Sequence, residues 1–258
     1  MKTLIPGKIL LVLLLSAACM ISAAECDLCG LIAKGDSLAD IYDHDGAAEA
    51  YLAALEIDSL HYEALWKAGD QLTEIAKALP EHEKERIESL YEKAEKLCLR
   101  AIEVNPDGYE GYLKLSVVYG RLGLFRGGRQ KVRMAVSVRT NAEKALELNP
   151  KCDRSMHVLG RWHQNVANLS GVLKFFARTL YGTPLRGSHE EALEWFKQAA
   201  EINHDHIEHH LELARTYQYL REQEKMHAPL QTALDLTPAN DFDKSLQQEA
   251  REMLERIQ

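Results

Sequence analysis

Two histidines in the segment HDHIEHH have the spacing of a metal site. His206 and His210 are four residues apart, so on a helix they would share one face, as ligands of zinc or nickel often do. The repeat described below places His210 at a packing position, and packing is therefore the interpretation that we favour. The sequence predicts no bound metal and no cofactor, with His206 and His210 the only candidate ligands.

A Cys-x-x-Cys pair is the second feature with the spacing of a reactive site. Cys26 and Cys29 have redox-motif spacing, but no strand-then-helix pattern precedes them, so we expect a local disulfide instead. The sequence lacks a phosphate-binding loop, a dinucleotide fingerprint, a zinc-protease motif and a nucleophile elbow. We therefore predict that the protein is not an enzyme.

Residues 1–24 have the composition of a secretory signal peptide. Lys2 and Lys8 precede an apolar run, and the small residues that follow this run end at Ala24. We expect cleavage after Ala24 and export to the periplasm or the outside of the cell. Two alternatives stay open: lipid attachment at Cys19, or a retained N-terminal helix. Either would attach the protein to a membrane.

An internal repeat occupies the rest of the chain. In segments such as AAEAYLAALEIDS and KAEKLCLRAIEVNPD, a helical pattern with a small residue near its end is followed by a helix-breaking turn. A second helical pattern follows each turn. The small positions are separated by 47, 44, 54 and 34 residues. They are Ala54, Ala101, Ala145, Ala199 and Ala233.

The repeat resembles the tetratricopeptide repeat (TPR), a helix-turn-helix of 34 residues. We therefore predict an all-α protein, a right-handed α-solenoid of five TPR-like hairpins with long inserts, over residues 25–258. The expected hairpins are 28–61, 62–108, 109–152, 153–206 and 207–240, followed by a capping helix at 243–257.

The longest insert, residues 168–189, is predicted to add a short amphipathic helix at about Val172 to Tyr181. Its apolar side chains would either fill a longer hairpin or form the wall of a groove. The residues that we assign to this apolar groove are Trp162, Val172, Phe175, Phe176 and Tyr181.

The insert and its flanks carry a family resemblance. The segments GRWHQNVANLSGVLKFFARTLYGTP and SHEEALEWFKQAAEI resemble the regulator of microtubule dynamics protein family, and the resemblance extends over residues 35–258. It implies a TPR-like domain and lipid handling at membrane contacts, here in a signal-peptide-bearing, bacterial relative. The matching residues are Gly160, Arg161, Trp162, Val166, Ala167, Leu169, Tyr181, Gly182 and Pro184.

Charge is strongly segregated along the chain. Without residues 1–24 the net charge is −10, yet residues 111–189 hold 14 basic and three acidic side chains. Such a segment creates a positive field, and Arg suits carboxylate and phosphate recognition. The predicted basic face comprises Arg121, Arg126, Arg129, Lys131, Arg133, Arg161, Lys174 and Arg178. The alternative is a solvated face balanced by the acidic ends of the chain.

These features predict a non-catalytic protein-binding scaffold outside the cytoplasm, whose concave face binds a protein or peptide, with acidic partners favoured. The alternative is an anionic phospholipid-binding or lipid-transfer protein that uses the apolar groove. A negative net charge, without a nucleic-acid-binding motif, argues against nucleic acid as a partner.

Overall fold

The computed structural model describes residues 25–181 and 185–257, and all regular structure in these residues is helical. The side chains of Phe176, Leu180 and Tyr181 lie outside the described set, as do the predicted signal peptide and Gly182 and Pro184 of the insert motif. The described chain forms two compact units, divided between Val104 and Asn105. In each unit the helices pack as TPR-like hairpins, which confirms the predicted fold class.

Within residues 25–104, the described part of the first unit, there are four helices. They are α1 (25–40), α2 (His44–Ile57), α3 (Tyr62–Ala78) and α4 (Lys84–Val104). Helix α1 contributes Leu28 and Ile32 to a core that includes Ala54 and Ala64 of the next two helices. Helix α3 packs against both α2 and α4.

The described residues of the second unit, 105–181 and 185–257, form eight helices and a 3-10 turn. They are α5 (Tyr109–Arg126), α6 (Gly128–Leu148), α7 (Asp153–Ala167), α8 (Gly171–Tyr181), α9 (His189–Ile202), α10 (Ile207–Leu220), the 3-10 turn Gln223–Met226, α11 (His227–Asp235) and α12 (Asp241–Glu255). The paired helices are α5 with α6, α7 with α9, and α10 with α11, and α12 packs on α10 and α11. Helix α8 coincides with the extra helix predicted for the insert.

Small residues allow the paired helices to approach closely. All five repeat alanines are fully buried, as the periodicity predicts. Gly160 of α7 is under the same constraint, because a Cβ atom there would lie 2.6 Å from the ring of Phe196 on α9. Gly69 is similar, since its Cβ would lie 2.8 Å from the Sγ atom of Cys98.

Short polar residues terminate the second helix of several hairpins. The side chains of Asp58, Asn105 and Asn149 each accept a hydrogen bond from the backbone N–H two residues later, at 2.9, 3.3 and 3.2 Å. This local bond stabilises a turn and competes with helix continuation. The breaks in the repeat therefore have a direct chemical cause.

The cysteines differ from the sequence prediction. None of the four described cysteines forms a disulfide: Cys26 and Cys29 are exposed on α1, and Cys98 and Cys152 are buried. The local Cys26–Cys29 disulfide that we expected is not formed in this structure. Both residues lie on the continuous helix α1, three positions apart, and both side chains are exposed.

Among the residues that the structure describes, no helix combines the length and the apolar character needed to cross a membrane.

Candidate functional site

Glu212 is a fully buried carboxylate on α10. Arg161 of α7 and Arg215 of α10 both donate hydrogen bonds to its Oε1 atom. Arg215 also pairs with Glu249 of α12, with its Nε atom 2.9 Å from Oε1. A carboxylate removed from water needs charged partners, so Glu212 holds both guanidinium groups in place.

An open pocket of about 250 Å³ lies beside these two arginines, between α7 and α10. Every side chain that lines it carries a hydrogen-bond donor, and two carry a positive charge. The lining residues are Arg161, Gln164, Asn165, Asn168, Arg215 and Tyr219.

The pocket walls are held by contacts of their own. Gln164 donates from Nε2 to the hydroxyl of Thr216 at 2.8 Å, which joins α7 to α10 within the core. Asn165 donates from Nδ2 to the carbonyl oxygen of Arg161 at 2.8 Å. The ring of Tyr219 stacks on that of His189, with centroids 4.5 Å apart and planes 8° from parallel. The pocket is therefore largely preformed.

The chemistry of the pocket is that of recognition. Its lining contains no Cys, Ser, His, Asp or Glu, the residue types that commonly supply a nucleophile or a general base. Guanidinium and amide groups instead suit a planar, oxygen-bearing acceptor such as a carboxylate. The arrangement can bind and orient a polar group, and it offers no pair of residues for a reaction.

A chain of hydrogen bonds lies at the other end of α7 and α10. His209 is fully buried, and its Nε2 atom is 3.0 Å from Oδ2 of Asp153 while its Nδ1 atom is 2.9 Å from Nδ1 of His157. Because Asp153 accepts from Nε2, a neutral His209 accepts at Nδ1, and His157 is the donor. Nε2 of His157 then faces Glu208, 3.7 Å away.

Burial sets the protonation of these histidines. It lowers the pKa of His157 well below the ordinary value. Burial, together with the charge of Arg154, lowers the pKa of His206 to about 4. Burial acts against ionisation of Asp153, but hydrogen bonds from His209 and Asn203 outweigh it and lower the pKa of Asp153 to about 2. At neutral pH His157 and His206 are uncharged and Asp153 is a carboxylate.

The two histidines weighed as metal ligands serve in packing. His210 is buried and its Nε2 atom lies 2.7 Å from the carbonyl oxygen of His204. His206 contacts Arg154 at 3.2 Å and packs edge-on against His209. The described part of the chain contains no group of three or more His, Cys, Asp or Glu residues placed to hold a metal ion.

The predicted basic face is spread over several helices. Arg121 and Arg126 are half-buried on α5, while Arg129, Lys131 and Arg133 lie on the first turns of α6. None of these five lines the pocket, and Arg161 is the member of the predicted set that does. The other two members lie on α8, and both are exposed: Lys174, which donates to the carbonyl oxygen of Ala167 at 2.9 Å, and Arg178.

The apolar residues that we assigned to a groove do not lie together either: Trp162 is buried, whereas Val172 and Phe175 are exposed. Trp162 is 3% exposed, donates from Nε1 to the carbonyl oxygen of Ala135 at 2.6 Å, and packs against Val138 and Val166. It belongs to the core and does not line a surface groove. Val172 and Phe175 are both 66% exposed on the outer face of α8. The side chains of Phe176 and Tyr181 lie outside the described set.

Sequence reasoning did not find most of the pocket. Gln164, Asn165, Asn168, Arg215 and Tyr219 were absent from the predicted site. One available signal was the repeat register, which places residues of α7 and α10 on the first helices of successive hairpins. Another was the Glu212–Arg215 spacing, which puts opposite charges on one helix face.

Comparison with known proteins places the chain in a family. The family model described as regulator of microtubule dynamics protein 1-3 matches residues 31–258. The chain is similar to regulator of microtubule dynamics protein 1 of Bos taurus, with 30% identity over 199 residues that cover 74% of this chain and 61% of the relative. The chain is also similar to regulator of microtubule dynamics protein 1 of Homo sapiens, with 28% identity over a match that covers 73% of this chain and 60% of the relative. The chain thus spans about three fifths of the length of these relatives.

A solved structure shows the same fold. The crystal structure of a thermophilic TPR protein from Thermus thermophilus superposes with a TM-score of 0.65 and 18% identity, covering 88% of this chain and 98% of that chain. The family match and the TPR-like helical hairpins agree with the resemblance of the insert motif. This chain belongs to the family of regulator of microtubule dynamics proteins 1-3.

Proposed function

We propose that the protein is a non-catalytic scaffold that binds a segment of another protein in the groove between α7 and α10. The open pocket, lined by polar residues that include two arginines, is the observation that carries this proposal. Repeated helical hairpins present extended surfaces that bind other molecules far more often than they transform them.

The size and lining of the pocket favour a peptide over a lipid chain. At about 250 Å³ it is smaller than the roughly 300–1,000 Å³ typical of small-molecule sites. It would accept one side chain or one chain end, with the rest of the segment lying along the groove. A lipid carrier requires an enclosed apolar cavity, whereas this pocket is open and polar.

The charge distribution favours an acidic partner and disfavours nucleic acid. Residues 111–189 hold 14 basic and three acidic side chains, although the chain as a whole is acidic. Such a field attracts acidic segments and accelerates their association. The N-terminal pattern supports export, so we place the encounter outside the cytoplasm.

A peptide selection tests the proposal. The purified protein, immobilised, is incubated with a pool of random octapeptides, and the retained peptides are retested by fluorescence anisotropy. We expect saturable binding that Tyr219→Ala weakens at least tenfold, while Gln218→Ala, an exposed neighbour on α10, leaves it unchanged. Failure to retain any peptide, or equal binding by both variants, would contradict the proposal.

A second candidate function, binding of anionic phospholipid, is favoured by one observation on α8. Val172 and Phe175 are exposed apolar side chains on the same helix as Lys174 and Arg178, which suits a surface helix at an anionic membrane. Co-sedimentation with vesicles of phosphatidylcholine and phosphatidylserine tests it. Binding that is lost in Val172→Ser/Phe175→Ser would support this candidate, and no binding by the wild-type protein would remove it.

A further inference from the structure

We propose that the pocket between α7 and α10 recognises a single carboxylate of the bound segment, and that Arg161 is the residue that binds it. This inference rests on the proposed function and names the chemical group that the site selects. It follows from the donors that the two arginines leave unused, from the charge balance around them, and from the amides beside them.

Arg161 lines the pocket, and most of its donors are not used in contacts with the described residues. A guanidinium carries five N–H groups, and Arg161 uses one of them on Glu212. Its side chain is 39% exposed. Arg215 differs, because Nε and both of its Nη atoms already contact Glu212 or Glu249. Arg161 is therefore the guanidinium that can bind a new partner with two parallel hydrogen bonds.

The local charge balance disfavours a dianion more than a monoanion. The guanidiniums of Arg161 and Arg215 are matched by the carboxylates of Glu212 and Glu249. One further carboxylate can be accommodated by the unused fork of Arg161. A phosphate group carries a charge of about −1.5 to −2, so it would add more repulsion from the two glutamates.

Neutral amides complete the recognition. Asn165 uses one N–H on the backbone of its own helix, and Asn168 is exposed at the end of α7. Both lie in the lining beside Arg161. Amide donors strengthen binding of a carboxylate without adding charge, and their position selects the direction from which it enters.

Glu212 is a positioning residue in this scheme. Its fully buried carboxylate accepts from Arg161 and fixes the guanidinium before a ligand arrives. A side chain held in place loses less conformational entropy on binding. The carboxylate that binds could come from an acidic side chain or from the C-terminus of the partner, since both present the same planar pair of oxygens.

The test uses two pools of random octapeptides, one with free C-terminal carboxylates and one with C-terminal amides. Each pool is incubated with the wild-type protein, and retained peptides are identified by mass spectrometry after gel filtration. We expect at least tenfold enrichment of peptides with a carboxylate at one position. Because every peptide in the free pool has a C-terminal carboxylate, retention from that pool at least tenfold above retention from the amide pool assigns the C-terminus. Enrichment of Asp or Glu at one position in both pools assigns an acidic side chain.

Variants connect this preference to the pocket. Arg161→Gln is expected to remove the enrichment, and Arg161→Lys to restore only part of it, because an ammonium lacks the planar fork. Arg154→Gln, on the exposed surface of the same helix and outside the pocket, is the matched control and keeps the full preference. Melting temperatures show whether each variant is folded.

Each outcome bears on a different claim. A carboxylate preference that survives in Arg161→Gln overturns the inference, as does retention of peptides without any such preference; in both cases the scaffold function stands. Displacement of the peptides by low concentrations of inorganic phosphate, but not of acetate, would also overturn it. Failure to retain peptides from either pool contradicts the proposed function itself.

Discussion

The guanidinium of Arg161 on α7 donates directly to the buried carboxylate of Glu212 on α10, a residue 51 positions later in the chain. The same oxygen accepts from Arg215, which in turn binds Glu249 on α12. One buried carboxylate thereby connects two hairpins and the last helix. The stability of this part of the second unit and the geometry of its pocket depend on the same side chain.

Replacing Glu212 by Gln should destabilise the second unit. The variant removes the negative charge that two arginines share, and breaking a buried ion pair costs about 3–5 kcal/mol, less the part that the amide oxygen retains. We expect a loss of about 2–4 kcal/mol, measured by hydrogen exchange of the amides in α7 and α10. Glu201→Gln, at an exposed position on α9, should stay within about 0.5 kcal/mol of the wild type. An unchanged Glu212→Gln protein would show that the network is not stabilising.

Adding one methyl group at Gly160 should also destabilise the second unit. Its Cβ would lie 2.6 Å from the fully buried ring of Phe196, so α7 and α9 must separate or the ring must move. Overpacking of this kind costs about 1–3 kcal/mol. Gly120→Ala is the matched control: its Cβ meets no atom closer than 4.0 Å, and alanine favours the helix by about 0.5–1 kcal/mol. Equal effects of the two substitutions, measured by urea unfolding, would contradict this packing argument.

Stability should fall as the pH is lowered from about 6.5 towards 4. The pKa values of His157 and His206 are lower in the folded protein than in the unfolded chain, so the unfolded state binds more protons in this range. The lowered pKa of His206 alone reduces the free energy of unfolding by on the order of 3 kcal/mol as the pH falls across that interval. The protonation of His157 and His206 also depends on the groups around their rings. These groups are Asp153, Glu208, Arg154, Arg161 and His209.

Two variants separate this effect from general acid unfolding. Melting temperatures of His206→Gln between pH 7 and pH 4 should show a shallower decline than those of the wild type. His227→Gln, at an exposed position on α11, should follow the wild-type curve. Identical slopes for all three proteins would place the acid sensitivity elsewhere.

The exposed apolar pair on α8 should be dispensable for folding. Val172 and Phe175 are both 66% exposed, and surface substitutions usually change stability by no more than about 0.5 kcal/mol. We therefore expect the Val172→Ser/Phe175→Ser protein to melt within a few degrees of the wild type. Retention of the octapeptides by this variant, as strongly as by the wild type, would be consistent with a peptide site on α7 and α10. A loss of peptide binding would instead place α8 within the site.

Local pattern in the sequence predicted much of the fold. The five buried alanines follow from helical spacing, and α8 follows from a polar break before an apolar run. These features depend on residues close together in the chain. Trp162 shows the limit: its apolar ring and its position next to the insert suggested a groove, but its partner Ala135 lies 27 residues earlier, and this contact buries it.

The pocket was harder to predict because long-range register creates it. Gln164 contacts Thr216 over 52 residues, and Arg161 contacts Glu212 over 51. Each side chain alone is typical of a solvated helix face. Whether these side chains meet depends on how closely α7 and α10 pack. Small residues and buried polar contacts together determine that packing. Arg161 was found only because it belongs to the basic segment.

Amide hydrogen exchange of the wild-type protein, with and without the tightest selected octapeptide, is the most direct test of the scaffold proposal. The account predicts that protection increases in residues 153–168 and 207–220, the segments that line the pocket. Protection confined to the first unit or to α8, with α7 and α10 unchanged, would contradict it.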